Sequence, residues 1–353
     1  MYNNDMKSNI FQSFILSIFF VIPFLSGLSF VTAKTTTPIV IKFIAAHGPI
    51  ILVKKPLTAF KTEVEKNSKS RIKVEITFAN ADDYNIQANK ENFEKLENND
   101  FQMSQVYASS LAKYEPNFMV LEVPFIFEDY EHSFATVDGE IGKQLFASLE
   151  AKSPIKGLGY TYCGGYRFIA TKDKQIKTLA DFKGLKIASG THASTKILEK
   201  LGTQNQQYLD KIAIREAVTA GELDGLVTVF PRFIKGDEQN IATTVNEFYF
   251  NMQFTVIAIN KNFFGTLSAA NQKIIETAVQ NAATMERALA IDIAQSVIKN
   301  SKSSKLSVVK MAGTDLAQIK QELQKTDWAK EFSISKELIE SVKGLAPAKI
   351  SGR

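Results

Sequence analysis

The sequence is poor in the residues from which many catalytic and metal sites are built. Its 353 residues include one cysteine, Cys163, and three histidines. A single cysteine excludes an internal disulfide and a cysteine-rich metal site, and three histidines supply a zinc site or a histidine-based triad poorly. The Gly-x-Ser-x-Gly, His-Glu-x-x-His and glycine-rich phosphate-binding motifs are also missing. We therefore expect no cofactor, no metal and no enzyme activity.

Concentrated charge of one sign is missing as well. Lysine and arginine number 42 against 37 acidic residues, and the net charge of +5 is scattered without a long basic block. Nucleic-acid-binding proteins usually gather such charge on one face, so we do not expect a nucleic acid as partner. A mild basic excess is compatible with attraction of small anions.

An apolar run that approaches the length of a membrane span occurs only at the N-terminus. Lys7 precedes the apolar run 14–25, and small residues occupy the minus-three and minus-one positions before a cleavage site after Ala33. This pattern predicts a signal peptide over residues 1–33. An uncleaved membrane anchor is the alternative, because 10–31 is nearly long enough to span a bilayer. An exported chain of this size without a disulfide indicates the bacterial periplasm.

The first half of the sequence alternates between strand and helix patterns. Residues 39–44 and 71–78 are predicted as strands and 56–64 as a helix between them. We also predict a strand at 119–123 and one helix over 131–151. Repeated units of this kind are typical of an α/β lobe with a largely parallel sheet.

Length and two later segments predict two linked lobes. The chain exceeds the usual size of a single core. The apolar run 248–260 predicts a strand returning to the first lobe, and Ser268 can cap a helix reaching about residue 300. Such a helix is about 50 Å long, longer than one lobe is wide, so it should bridge both. The predicted segments are 34–164 plus 251–293 for the first lobe and 165–250 plus 294–353 for the second.

Five motifs have the order and spacing of one protein family. They are Val-Pro-Phe-Ile-Phe-Glu-Asp-Tyr-Glu-His at 123–132, Asp-Gly-Glu-Ile-Gly at 138–142, Gly-Tyr-Arg at 165–167, Thr-Leu-Ala-Asp-Phe-Lys-Gly-Leu-Lys-Ile at 178–187 and Ala-Gly-Glu-Leu-Asp-Gly at 220–225. Over roughly residues 39–300 the chain resembles the solute-binding proteins of tripartite ATP-independent periplasmic (TRAP) transporters, of the dicarboxylate-binding type.

The resemblance implies a fold and a function. The fold is α/β, a two-lobed periplasmic binding protein with interwoven lobes and a long helix bridging both. The function is to close on a small organic acid, often a carboxylate, and to deliver it to the membrane permease subunits of a TRAP transporter. We expect a monomer that does no chemistry on its ligand.

The resemblance also assigns site residues in the second lobe. Arg167 takes the place of the family arginine that pairs with the ligand carboxylate, and a guanidinium offers the planar donor fork such a group requires. A structural ion-pair arginine is the alternative. Ala188 stands where the family has a second arginine and Thr228 where it has an asparagine, so the two-arginine clamp cannot form. Lys211 and Arg232 are candidate replacements.

The first lobe supplies further candidates by the same resemblance. Ser104, Gln105 and Tyr107 lie in a segment that contacts the ligand in the family. His47 follows the first strand and is placed to face the cleft, although a lone histidine is more often structural. Two other functions stay open at this point: a sensor or partner-presenting protein on the same fold, suggested by Ala188, and a secreted hydrolase.

Overall fold

Two β-sheets form the framework of the computed structural model, which describes residues 37–45, 50–78, 86–206, 211–235, 238–301 and 305–345. Their elements lie within one unit, Pro38–Arg353. The strands are β1 (Ile39–Ala45), β2 (Ile72–Phe78), β3 (Met103–Tyr107), β4 (Ile155–Tyr166), β5 (Phe168–Thr171), β6 (Lys186–Ala188), β7 (Gln204–Gln206), β8 (Gly225–Thr228), β9 (Thr244–Glu247), β10 (Met252–Asn260) and β11 (Ser307–Lys310).

Helices cover both sheets. The α-helices are α1 (Ile51–Asn67), α2 (Ile86–Glu97), α3 (Tyr130–Asp138), α4 (Glu140–Lys152), α5 (His192–Lys200), α6 (Lys211–Ala220), α7 (Phe230–Lys235), α8 (Lys261–Gly265), α9 (Ala269–Asn300), α10 (Gly313–Gln324), α11 (Trp328–Phe332) and α12 (Lys336–Lys343). Short 3-10 helices are Ala108–Lys113, Pro116–Glu122, Leu179–Phe182 and Glu238–Asn240. Within the described part of the chain, no helix combines the length and the apolar character needed to cross a membrane.

Each sheet contains one antiparallel strand. The first sheet has the order β2-β1-β3-β10-β4 and the second the order β11-β9-β5-β8-β6-β7. β10 runs antiparallel to β3 and β4, and β5 runs antiparallel to β8 and β9. These two strands enter directly from the other sheet through a short connection, without the helical crossover that parallel neighbours need. The sheet that was predicted as largely parallel is parallel in all its strands but β10.

The chain passes between the sheets at two adjacent places. Arg167 alone separates β4 from β5, and residues 248–251 separate β9 from β10. The two crossings are bonded together, because the Arg167 amide donates to the Asn251 carbonyl at 2.9 Å. All nine residues of β10 are buried, as expected for a strand covered on both faces. The predicted return of this segment to the first sheet is confirmed.

Helix α9 is a second link between the sheets. It has 32 residues, and the Ser268 hydroxyl caps its first turn by accepting from the Asn271 amide at 3.3 Å. Ile275 and Val279 pack into the core beside the first sheet, whereas Ile293 and Val297 pack against the core of the second. The predicted bridging helix is confirmed.

Two local predictions are wrong. Residues 119–123 were expected as a strand but lie mostly in the 3-10 helix Pro116–Glu122, which begins with proline and is capped by Glu115 accepting from an amide at 3.1 Å. The single helix over 131–151 is divided into α3 and α4 at Gly139. A Cβ at Gly139 would lie 2.2 Å from the Ala135 carbonyl oxygen, so only glycine fits this junction. The boundaries of the lobes stay a prediction.

Candidate functional site

Arg167 is buried at the crossing between β4 and β5, with 2% of its surface exposed. Its Nη1 donates to Glu122 Oε2 at 2.6 Å and its Nη2 to Glu122 Oε1 at 3.2 Å. Nη1 also donates to the Met252 carbonyl at 3.2 Å, and Nε donates to Gln253 Oε1 at 3.3 Å. Four of the five guanidinium N–H groups are therefore engaged by the protein itself.

Glu122 is the carboxylate that neutralises Arg167. It is the last residue of its 3-10 helix and is 3% exposed. Asn251 Nδ2 donates to Glu122 Oε2 at 2.9 Å, while Asn251 Oδ1 is buried without a hydrogen-bond partner among the described residues. We call the group Arg167, Glu122, Asn251 and Gln253 the crossover centre. Its guanidinium and carboxylate together carry no net charge.

The pairing with Glu122 adds a condition to the predicted role of Arg167 in binding the ligand. The side chain lies where the two sheets meet, and its bidentate partner is an internal carboxylate. A ligand carboxylate can use the same donor atoms only after Glu122 has left them. Direct ligand binding by Arg167 stays a prediction.

The second sheet and its helix α7 hold three other predicted site residues. Ala188 ends β6 and is buried in the apolar core with Phe168 and Phe230. Arg232 Nε lies 2.8 Å from Glu238 Oε1, its Nη2 donates to a backbone carbonyl at 2.9 Å, and the Thr228 hydroxyl also donates to Glu238. Arg232, like Arg167, is thus paired with an internal carboxylate.

The predicted residues of β3 are buried in the first sheet. The Ser104 hydroxyl donates to the Ile44 carbonyl at 3.1 Å. Gln105 Nε2 donates to Glu286 Oε2 of α9 at 3.0 Å and to the Thr161 hydroxyl at 2.9 Å. Tyr107 is buried at the end of the strand. These contacts tie β3 to its neighbours and to α9.

Two predicted residues cannot be placed. His47 lies outside the described residues. Lys211 begins α6, but its side chain is outside the described part of the chain. Their roles stay predictions.

Tyr130, Tyr166 and Tyr249 form an aromatic cluster beside the two strand crossings. The rings of Tyr130 and Tyr166 are 5.1 Å apart between centroids, and those of Tyr166 and Tyr249 are 5.9 Å apart. Gly165 has a φ of +76°, and a Cβ there would lie 3.0 Å from the Tyr130 hydroxyl, so glycine admits this ring. Burial raises the pKa of Tyr130 to about 12 and also raises the pKa of Tyr166 and of Tyr249.

Sequence reasoning missed these tyrosines, Glu122 and Asn251. Tyr130 and Tyr166 stand inside two of the motifs, and Glu122 directly precedes the first of them. Asn251 is a polar residue inside the mainly apolar run 248–260. A buried polar position flanked by aromatic residues was the available signal, because such a group needs a partner.

A cavity close to this region is not lined by the predicted residues whose side chains are described. It encloses about 600 Å³ between the segment after Glu122 and helices α10 to α12, and Val123, His132 and Trp328 are among its walls. Arg167 and the other predicted residues whose side chains are described do not line it. In the same described ranges, no group of three histidine, cysteine, aspartate or glutamate side chains could hold a metal ion.

Two sheets joined by paired strand crossings and one long helix define a two-lobed binding protein. The model of the family "Bacterial extracellular solute-binding protein, family 7" (DctP) matches residues 47–333, and the chain belongs to this family. The resemblance seen in the sequence motifs is confirmed.

Relatives and solved structures agree with this assignment. The chain is 31% identical over 289 residues to the C4-dicarboxylate-binding periplasmic protein DctP of Rhodobacter capsulatus, covering 78% of this chain and 79% of that protein. It is 29% identical over 213 residues to the 2,3-diketo-L-gulonate-binding periplasmic protein YiaO of Escherichia coli K12, covering 57% and 61%.

Among solved structures, the sugar-acid-binding protein DctPAm of Advenella mimigardefordensis, in complex with galactonate, has a TM-score of 0.77 at 20% identity and covers 87% of this chain and 97% of its own. A TRAP periplasmic solute-binding protein of Roseobacter denitrificans, with bound 3-deoxy-D-manno-oct-2-ulosonic acid, has a TM-score of 0.77 at 20% identity and covers 88% and 100%. These likenesses confirm the predicted α/β two-lobed fold.

Proposed function

We propose that this protein captures a small organic acid between its lobes and delivers it to the permease of a TRAP transporter. The observation that carries the proposal is a buried guanidinium, Arg167, at the place where the two sheets meet. The relatives support it, since those named above bind a C4-dicarboxylate, a diketogulonate, galactonate and an ulosonic acid, all of them carboxylic acids.

In the proposed complex, Arg167 holds the acid group of the ligand. A guanidinium pairs with a carboxylate through two parallel hydrogen bonds, and exclusion of water by both lobes strengthens the pairing. Ala188 places no second arginine in the site, so we propose that a monocarboxylate is preferred over a dicarboxylate. His47 and Lys211 remain proposed contacts from the two lobes.

The remaining parts of the proposal concern the export, the oligomeric state and the hinge motion of the protein. A signal peptide over residues 1–33 directs export and is removed after Ala33, which leaves a periplasmic monomer. The lobes are 34–164 plus 251–293 and 165–250 plus 294–353, and they close on the ligand by a hinge motion. The protein binds and releases its ligand unchanged, without a cofactor.

A thermal-shift screen of the mature protein tests this function. Galactonate, succinate and 3-deoxy-D-manno-oct-2-ulosonate are compared with the neutral polyol galactitol. An acid in large excess over its Kd should raise the unfolding midpoint, because binding at a hundred times Kd adds about 2.7 kcal/mol to the folded state. Galactitol should leave the midpoint unchanged.

The role of Arg167 is tested by Arg167→Gln in the same screen. The variant should lose the response to the acid, whereas Arg71→Gln, the same change at an exposed arginine, should keep it. A shift by galactitol as large as that by the acids would contradict acid binding. An undiminished response in Arg167→Gln would remove this residue from the site.

A further inference from the structure

We propose that Glu122 is an internal stand-in for the ligand carboxylate, and that binding of the acid at Arg167 transfers one proton from solvent to Glu122. The inference rests on the proposed function, in which Arg167 holds the acid group. It adds a residue that sets the affinity for acids and makes that affinity depend on pH.

The first step is the supply of hydrogen-bond donors on Arg167. Both hydrogens of Nη1 are engaged, one by Glu122 and one by the Met252 carbonyl, and Nε is engaged by Gln253. One hydrogen of Nη2 remains beyond the bond to Glu122. A single N–H cannot hold a carboxylate bidentately. The acid group of a ligand therefore has to take the oxygen positions that Glu122 now occupies.

The second step concerns charge. The Arg167 side chain is 2% exposed and the Glu122 side chain 4%, so the pair is neutral and shielded from water. A second carboxylate in this space would leave one negative charge without a counter-ion. Two carboxylates that share one site do not both stay ionised, and one of them takes a proton. Proton uptake restores neutrality at the crossover centre.

In the part of the chain that the structure describes, no second cation forms an ion pair with Glu122. Among the described residues, Arg167 is the charged group in contact with Glu122. β10, which packs against the 3-10 helix of Glu122, has no charged residue. The other elements that pack most closely against this helix are the 3-10 helix Ala108–Lys113, α11 and α12. Their charged residues make contacts elsewhere: Lys113 with Glu97, Glu331 with Lys200, Lys336 with Asp327, Glu337 with Ser335 and Lys343 with Glu340, while Lys330 is exposed. Lys320 of α10 lies over the Phe125 ring, 5.0 Å from its centroid.

The third step is the destination of the new O–H group. A protonated carboxyl donates a hydrogen bond and needs a buried acceptor. Asn251 Oδ1 is such an acceptor, because it is buried and has no partner in the described part of the chain. It belongs to the same amide whose Nδ2 lies 2.9 Å from Glu122 Oε2. A half-turn of this amide places Oδ1 beside the present position of the Glu122 carboxyl group, so a protonated Glu122 that has moved away from Arg167 has a buried acceptor next to it.

Isothermal titration calorimetry counts the proton. Galactonate, succinate and 3-deoxy-D-manno-oct-2-ulosonate are each titrated into the mature protein in HEPES and in Tris, whose ionisation enthalpies differ. The difference in observed enthalpy should correspond to uptake of about one proton per bound acid, and affinity should rise by up to about tenfold for each unit of decreasing pH. Binding that requires Arg167 but takes up no proton would overturn the inference and leave the proposed function standing.

Glu122→Gln tests the same step from the protein side. Glutamine imitates the protonated carboxyl in shape and charge, so the variant should take up no proton and should bind the acid about tenfold more tightly above neutral pH. Glu115→Gln changes a buried carboxylate at the other end of the same 3-10 helix and should keep the proton uptake of the wild type. Weaker acid binding by Glu122→Gln would overturn the inference. Absence of binding by every acid would overturn the proposed function itself.

Discussion

The two arginine–carboxylate pairs of the candidate site differ in what they connect. Arg167 and Glu122 are 45 residues apart in sequence and have side chains that are 2% and 4% exposed. Arg232 and Glu238 are close in sequence, belong to the second sheet and its flanking helices, and have side chains 19% and 5% exposed. The first pair forms only when the 3-10 helix Pro116–Glu122 and both strand crossings are assembled. The second pair needs one short segment.

This difference separates a local contact from one that depends on the whole fold. The Arg232 side chain is partly exposed, so water can solvate it when its partner is lost. At the crossover centre neither group has that option, and a lost partner leaves a buried charge. The contact nearest to the proposed ligand is therefore also the one whose loss should cost the most stability.

Arg167→Ala should have the largest effect on stability. Removal of the guanidinium leaves Glu122 buried without a counter-ion, which costs about 3–5 kcal/mol of the free energy of unfolding. Urea unfolding followed by circular dichroism and by the fluorescence of Trp328, the one tryptophan of the chain, measures the loss. The double variant Arg167→Met with Glu122→Leu removes both charges and should lose less. A single variant within about 1 kcal/mol of the wild type would show that the pair is not shielded from water.

Arg232→Ala should have a smaller effect, about 2 kcal/mol, the cost typical of lost hydrogen bonds to a charged group. Glu238 keeps the hydrogen bond from the Thr228 hydroxyl, so its carboxylate is not left without a donor. The same urea experiment provides the measurement. The comparison fails if this variant is as unstable as Arg167→Ala.

Much of the fold could be predicted because local sequence patterns determine many of its strands and helices. The apolar run that became β10 and the Ser268 cap of α9 are contained within one segment each. Residues 119–123 show where this fails, since a short apolar run has the same pattern in a buried strand and in a 3-10 helix. Gly139 looked like one residue of a long helix, and only the approach of the Ala135 carbonyl shows that it ends α3.

The candidate site was less predictable for a related reason. Arg167 could be named from its motif, but its partner Glu122 is 45 residues away and meets it only through the folding of both crossings. Asn251 reaches the same centre from a third part of the chain. Pairings between distant segments produce no periodic pattern in the sequence. The sequence therefore identified the arginine but could not show that Glu122 already pairs with it.

A third ion pair, Glu115 with Lys152, has one buried and one exposed partner, and its contribution to stability can be measured as a function of pH. Glu115 is 2% exposed and pairs at 2.5 Å with Lys152, whose side chain is 53% exposed. Burial raises the pKa of Glu115, but the hydrogen bonds from Lys152, Ser148 and the Asn117 amide lower it more, so the pKa lies below the ordinary 4.5. A lowered pKa stabilises the folded state above that ordinary value, and the contribution disappears as pH falls through the folded-state pKa.

Glu115→Gln should therefore cost about 1 kcal/mol near neutral pH and progressively less below about pH 4.5. Unfolding free energies measured from about pH 6 to about pH 3 for both proteins test this. Convergence of the two curves toward low pH is the expected result. A constant gap would mean that the variant perturbs packing and that ionisation of Glu115 contributes nothing.

Lys325→Ala should have the smallest effect and gives the sharpest test of burial. Lys325 Nζ lies 2.6 Å from Glu322 Oε2, the same distance as the shorter contact between Arg167 and Glu122. The Lys325 and Glu322 side chains are 68% and 34% exposed, so water and salt screen the pair and its loss should cost at most about 0.5 kcal/mol. Urea unfolding at low and at high salt measures this, and the small difference should vanish at high salt. A loss above about 1 kcal/mol would mean that contact distance, and not exposure to water, sets the value of an ion pair in this protein.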